Sequence, residues 1–189
     1  DADHGITRAE LIANIQEEAP YLSAKSAAMQ LGIARLRLGL LDLSDNDVLR
    51  PSALGRELLD GESPPNVLAP ILLRRVWGFA QTLDVLRRAP DGLSRLALFN
   101  EVMRRRGDDW TSSMVPSAVL EWCKDLELVE FEAAPAGQVF WLSDAGEQWA
   151  ARLPGNLGDW DVQARAVEEV DEEEHARPTF EPTRGSLVG

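Results

Sequence analysis

The chain has 189 residues, 44% hydrophobic and 27% charged, with a net charge of −13. That length supports one medium core or two small ones, and the apolar run Val67 to Leu73, closed by Arg74-Arg75, is too short to span a bilayer. One cysteine, Cys123, permits no internal disulfide; with no secretory pattern in the first residues, this predicts a reducing, cytoplasmic setting.

Thr7-x-x-Glu10 is a capping box, and Leu11, Ile12 and Ile15 supply an apolar stripe, so the pattern predicts a helix from about 7 to 18, ended by Pro20. Ser23 caps a second helical run to about Leu38, with Leu31, Ala34 and Leu38 on one side and Gly39 closing it. Leu40 to Leu43 and Val48 to Arg50 read as strands around the turn Ser44–Asp47, and Ser52 caps a short helix to about Leu59. Residues 66–89 carry one helical pattern, from Leu68 to Leu86, with Pro70 early enough to be tolerated. Pro90-Asp-Gly92 is a turn. A helix then ends at Arg104-Arg-Arg106, where positive charge suits a helix C-terminus. Ser113 and Pro116 open another helix, with Val119, Trp122, Cys123 and Leu126 at helical spacing. A hairpin over 128–142 and a helix over 143–153 follow. After Pro154 the composition shifts, and Glu168–Glu174 followed by Pro178, Pro182 and Gly185 reads as an extended or disordered acidic tail.

Part of this pattern occurs twice. Leu38-Gly-Leu-Leu-Asp-Leu43 matches Leu126-Glu-Leu-Val-Glu-Phe131 at an offset of 88 residues, while Ser52 and Gly55 match Ser143 and Gly146 at an offset of 91, the difference lying in a longer second turn. One supersecondary unit is therefore used twice. The fold class expected is mainly α with small β-hairpins, an α+β protein. Its parts are a first unit over 6–60, a helical bridge over 61–92, a second unit over 93–153 and the acidic tail over 154–189.

Helix, helix, hairpin and a strand-Ser-x-x-Gly-helix ending, carried by residues 6–60 and 93–153, resemble the tandem winged-helix (winged helix-turn-helix) proteins. The best match is Val119-Leu-Glu-Trp-Cys-Lys-Asp-Leu-Glu-Leu-Val129 with Phe140-Trp-Leu-Ser-Asp-Ala-Gly146. The resemblance implies a second helix in each unit that enters the DNA major groove and a wing that touches the backbone. In the first unit these are Lys25, Gln30, Arg35 and Arg37, with Ser44 to Asp47 as wing. In the second they are Ser113, Ser117, Glu121, Lys124 and Asp125, with Ala133 to Gly137 as wing. A fold hosts many functions, however.

Charge divides the two copies. Residues 1–21 carry five acids and one base, residues 22–106 nine acids and thirteen bases, and residues 107–189 eighteen acids and five bases. Duplex affinity comes largely from cations on phosphates, and the acidic first wing and the second helix, with two acids against one base, do not supply it. Usable contacts are the first-unit residues together with Arg74, Arg75, Arg87, Arg88, Arg104, Arg105 and Arg106; the same arginines also read as solvated helix ends paired with carboxylates. Arg37 faces Asp125 and Arg56 faces Glu147 across the repeat, so the first unit suits anions and the second a protein partner.

No residue pattern points to catalysis. Glycine-rich phosphate loops are absent from the sequence, and His4 and His175 sit in the expected tails, which offer no rigid support for a metal or a triad. Cys123 reads as a core thiol, and the Glu172–Glu174 run as a solvated tail. No cofactor, no metal and no small-molecule substrate are expected. Among the six tryptophans, Trp77, Trp122 and Trp149 fall at helical core spacing and Trp160 is placed to dock back on the second unit. Trp141, Trp77 and Trp160 are also the candidates for a protein interface, with packing between the units the favoured reading of Trp141. Two functions follow: a non-catalytic binding module in DNA-linked machinery that contacts duplex DNA, or a module for protein–protein interaction or homodimerisation that leaves DNA alone.

Overall fold

The structure is a computed structural model that describes residues 5–44, 46–61, 63–106, 114–135, 137–158, 160 and 164, without the side chains of Arg106, Met114 and Val115. Its first helix starts where the capping box places it. Strand β1 (Ile6–Thr7) leads into α1 (Arg8–Glu18); the Glu10 N–H donates to Thr7 Oγ1 at 3.3 Å and the Thr7 N–H donates to Glu10 Oε2 at 3.0 Å. These bonds satisfy two donors that a helix start leaves open; the Thr7 hydroxyl, donating to Glu10 Oε2 at 2.7 Å, and then the Thr7 N–H hold the Glu10 carboxyl below its ordinary value. Ser23 caps α2 (Ala24–Gly32) in the same manner, accepting from Ser26 N–H at 3.1 Å.

The helix expected to run on to Leu38 instead widens into a π-helical turn, Ile33–Arg37, with Leu38 N–H donating to Ile33 O at 3.0 Å. Such a turn takes the residues after it out of α-helical phase. Gly39 closes it at φ 67°, a left-handed conformation that glycine adopts without cost. Strands β2 (Leu41–Leu43) and β3 (Val48–Pro51) then form the hairpin, and Ser52 caps α3 (Ala53–Leu59).

Residues 66–89 are two helices rather than one. Helix α4 (Pro64–Arg75) and α5 (Phe79–Arg87) are separated at Gly78, whose φ of 96° no α-helix contains and whose N–H donates to the Gln81 side chain at 2.7 Å. The apolar pattern runs through the break because Val76 and Trp77 are buried with the helices on either side. The second unit follows as β4 (Leu93–Ser94), α6 (Arg95–Arg106), α7 (Met114–Asp125), β5 (Val129–Ala134), β6 (Gly137–Leu142) and α8 (Asp144–Ala150).

The described residues thus form a mainly helical α+β protein with eight α-helices and two antiparallel three-stranded sheets, ordered β1-β3-β2 and β4-β6-β5. The two-residue strands β1 and β4 were not expected, and they extend the repeat. Gly5-Ile-Thr-Arg8 matches Gly92-Leu-Ser-Arg95 at an offset of 87. Ile6 pairs with Leu49 as Leu93 pairs with Phe140.

The repeated Ser-x-x-Gly has one structural job in both copies. Ser52 N–H donates to Leu40 O at 2.9 Å, and Ser52 Oγ donates to Gly39 O at 2.6 Å while accepting from Gly55 N–H at 3.1 Å. Ser143 repeats this with Leu128 O (3.1 Å), Glu127 O (2.6 Å) and Gly146 N–H (3.0 Å). Glycine is required because a Cβ at Gly55 or Gly146 would run into the carbonyl oxygen of Leu40 or Leu128. The signature therefore ties the last helix of each unit to the segment that follows its second helix.

The main core is built around α5, whose residues Phe79 to Leu86 are all buried, and extends from Ala69 to Ala164. Helix α5 packs against α6, α7, α8 and β6. Leu157, Trp160 and Ala164, in the stretch expected as a loose tail, also pack on this core at helical spacing. The acidic run 168–174, His4, His175, Asp45 and Ser113 lie outside the described residues.

Candidate functional site

The expected first-unit contacts lie along one continuous helical segment. Lys25 in the first turn of α2 and Gln30 near its end are exposed, while Arg35 and Arg37 are half-buried in the π-helical turn. Arg74 and Arg75 are exposed in the last turn of α4. Arg75 reaches back to the first unit: a Cβ added at Gly39 would stand 2.8 Å from its Nη1. This brings a cation from α4 against the segment two residues beyond Arg37. Arg74 turns elsewhere, its guanidinium lying 5.7 Å from the centre of the half-buried Trp160 ring, a separation at which cation and ring attract.

The arginines of α6 have different partners. Arg104 grips Glu101 through Nη2 at 2.6 Å and Nε at 3.1 Å on the exposed face of the helix, and this bond holds the Glu101 carboxyl low. Arg105 donates to Asp84 Oδ2 at 2.7 Å, which makes it a tie between α6 and α5 and takes it off the open surface. Arg106 ends α6, and its side chain lies outside the described residues.

Asp84 is the residue that sequence reasoning missed. It is 3% exposed and receives Arg87 and Arg88 from its own helix as well as Arg105 from α6. Burial pushes its carboxyl up, but the bonds from Arg105, Arg87 and Arg88 together outweigh burial and hold it below the ordinary carboxylate value. One carboxylate thus anchors three of the guanidiniums that composition alone left available for phosphate. Its only sequence signal was its place, an acid within a helix whose neighbours Leu83, Val85 and Leu86 are apolar.

The counterpart surface of the second unit is acidic and aromatic. Glu121 on α7 takes Lys124 at 2.6 Å and Arg95 at 3.1 Å; the Lys124 bond is the main cause of its lowered carboxyl pKa. Lys124 also stands 5.0 Å from the centre of the Phe131 ring. Asp125, Glu127, Glu130 and Glu132 are exposed around it. Trp141 is half-buried on β6 opposite Glu130, and its Nε1–H donates to Glu130 Oε2 at 3.2 Å. These two, with Phe131, Lys124 and Asp144, line an open depression of about 550 Å³. Phe131 is 46% exposed, a large ring in water beside carboxylates.

Of the other candidates, Trp77, in the segment between α4 and α5, is buried in the core at 1% exposure and offers no surface to a partner. Cys123 is fully buried, and burial pushes its thiol up, away from the thiolate that a nucleophile needs. Among the described residues no group of three His, Cys, Asp or Glu side chains could hold a metal ion, and no helix is long and apolar enough to cross a membrane. Comparison of the chain with protein families, with curated proteins and with solved structures gives no match.

Proposed function

We propose that the chain is a non-catalytic, cytoplasmic tandem winged-helix module of DNA-linked machinery, and that its first unit contacts duplex phosphates. Two strand-helix-helix-hairpin-helix units with the same sheet order, in which the first strand pairs with the last, support the winged-helix reading. The observation that carries the DNA reading is the approach of Arg75 to Gly39, which adds a cation from α4 to the end of the helical segment bearing Arg35 and Arg37. The second unit, with Asp125, Glu130 and Glu132 exposed, is repelled by phosphate and faces away from DNA in this reading. Anisotropy titration of a labelled duplex at 50 mM salt tests it. Binding that weakens as salt rises, and that falls in Arg37→Ala and Arg75→Ala, is expected; no binding at that salt overturns it.

A protein-docking or homodimer role is the second reading, favoured by the exposed Phe131 beside Trp141 and the carboxylates of β5. Self-association in sedimentation equilibrium that disappears in Trp141→Ser and Phe131→Ser would support it.

A further inference from the structure

The two copies differ most in how well the helix after their first strand is covered. At the offset of 87, Leu11, Ile12 and Ile15 of α1 correspond to Leu98, Phe99 and Val102 of α6. The latter three are buried, at 1%, 8% and 0% exposure. Helix α1 contains no buried residue; its three apolar side chains are all half-open, and Tyr21 just beyond it is 86% exposed. The residue types are alike, so the difference lies in what stands over them.

In the second copy that cover is α5, seated against α6, α7, α8 and β6. The corresponding surface of the first copy is made by α1, α2, α3 and β3. Helix α1 packs chiefly on α2 and β1, and α4 packs on α3 and α5, so no described helix stands over α1 as α5 stands over α6. An apolar row of this kind beside water is a docking surface for a helix.

We propose that the face of α1 bearing Leu11, Ile12 and Ile15 binds an amphipathic helix of a partner protein, with apolar residues at i, i+4 and i+7 and a cationic last turn. The apolar spacing is read from α5, which presents Phe79, Leu83 and Leu86 to its own unit. The charge is read from the ends of the paired helices. The C-terminal turns of α5 and α6 lie together, as the Arg105–Asp84 bond requires. The residues of α1 that correspond to Arg104 and Arg105 are Glu17 and Glu18, both exposed. A helix lying on α1 in the direction of α5 therefore meets two carboxylates at its last turn and gains from Lys or Arg there. This surface is separate from the proposed DNA contact, and its test does not use DNA.

The probe is a labelled, end-blocked peptide of residues 78–90 of this chain, which carries that apolar spacing and has Arg87-Arg88 in its last helical turn. Titrated against the full chain at low salt, it is expected to bind saturably, and Ile15→Asp is expected to weaken binding by at least tenfold. Because Ile15→Asp could unfold the first unit, the surface variant Glu17→Lys/Glu18→Lys provides the second arm. It should weaken the peptide several-fold, and a peptide with Arg87→Glu/Arg88→Glu should regain affinity for it. Absence of binding by the wild-type chain, or binding indifferent to the charge swap, overturns the proposal. So does a dimer that the same glutamate variants dissociate and that excludes the peptide, since the occupant is then a second copy.

Discussion

Gly39 and Glu127 hold the same left-handed backbone position in the two copies, at φ 67° and 56°. Each offers its carbonyl to the serine that caps the last helix of its unit. Only the first copy has the residue that suits this conformation. A non-glycine residue in left-handed backbone carries about 1 kcal/mol of strain, so Glu127→Gly is expected to stabilise the protein by ~0.5–1 kcal/mol. Gly39→Ala should cost at least as much, and its Cβ would also displace Arg75. Urea denaturation of the two variants checks both signs.

The Ser-x-x-Gly tie predicts unequal costs. Ser143→Ala removes a helix cap and should cost about 1 kcal/mol. Gly146→Ala pushes a methyl group into the Leu128 carbonyl oxygen, which accepts from Ser143 N–H, and should cost about 2 kcal/mol or more. The same order should hold for Ser52→Ala and Gly55→Ala. Thermal unfolding of all four variants measures it; a glycine variant milder than its serine partner would contradict the packing described.

Asp84 makes stability depend on acid. Its folded-state pKa lies below the ordinary value, so the carboxylate stabilises the fold above about pH 4, and the contribution is lost as pH falls through the depressed value. Asp84→Ala is expected to cost about 3 kcal/mol at neutral pH, the low end for a broken buried pair, because Arg87 and Arg88 reach solvent and rehydrate. Asp84→Asn should flatten the acid limb of a stability-against-pH curve measured by denaturant midpoints from pH 2 to 7.

If the first unit and Arg75 hold phosphates, each contact contributes about 0.9 to the slope of log affinity against log salt. Arg75→Ala should lower that slope by roughly this amount. Arg104→Ala, whose guanidinium is held by Glu101, should leave it unchanged.

Cys123 should be inert in the native state. With its thiol buried and pushed up, thiol reagents at neutral pH should label it at the rate of global opening, so labelling should accelerate in Gly146→Ala and Asp84→Ala in proportion to their destabilisation.

Caps and hairpins could be read ahead of the structure because their signals are local. Thr7, Ser23, Ser52 and Ser143 each bond within three residues of themselves, so short spacing was enough. The strands β1 and β4 have two residues each, too few to show alternation. The break at Gly78 was masked because Val76 and Trp77 kept the apolar pattern going while the backbone turned. The fate of the arginines was out of reach for a different reason. Arg105 and Arg104 are neighbours of like charge in sequence, and only the packing of α5 on α6 decides that one meets a buried Asp84 and the other a half-buried Glu101.

The burial of α5 leaves repetition and folding out of step by one helix. The sequence repeats from Gly5 and again from Gly92, yet the second fold draws its central helix from residues that precede its own repeat. A cut made at Gly92 to isolate the second copy would leave Leu98, Val102, Leu120 and Phe140 facing water, while a cut before Pro64 would keep their cover. Severing the chain at the point of highest internal symmetry would thus ruin the copy that looks most complete.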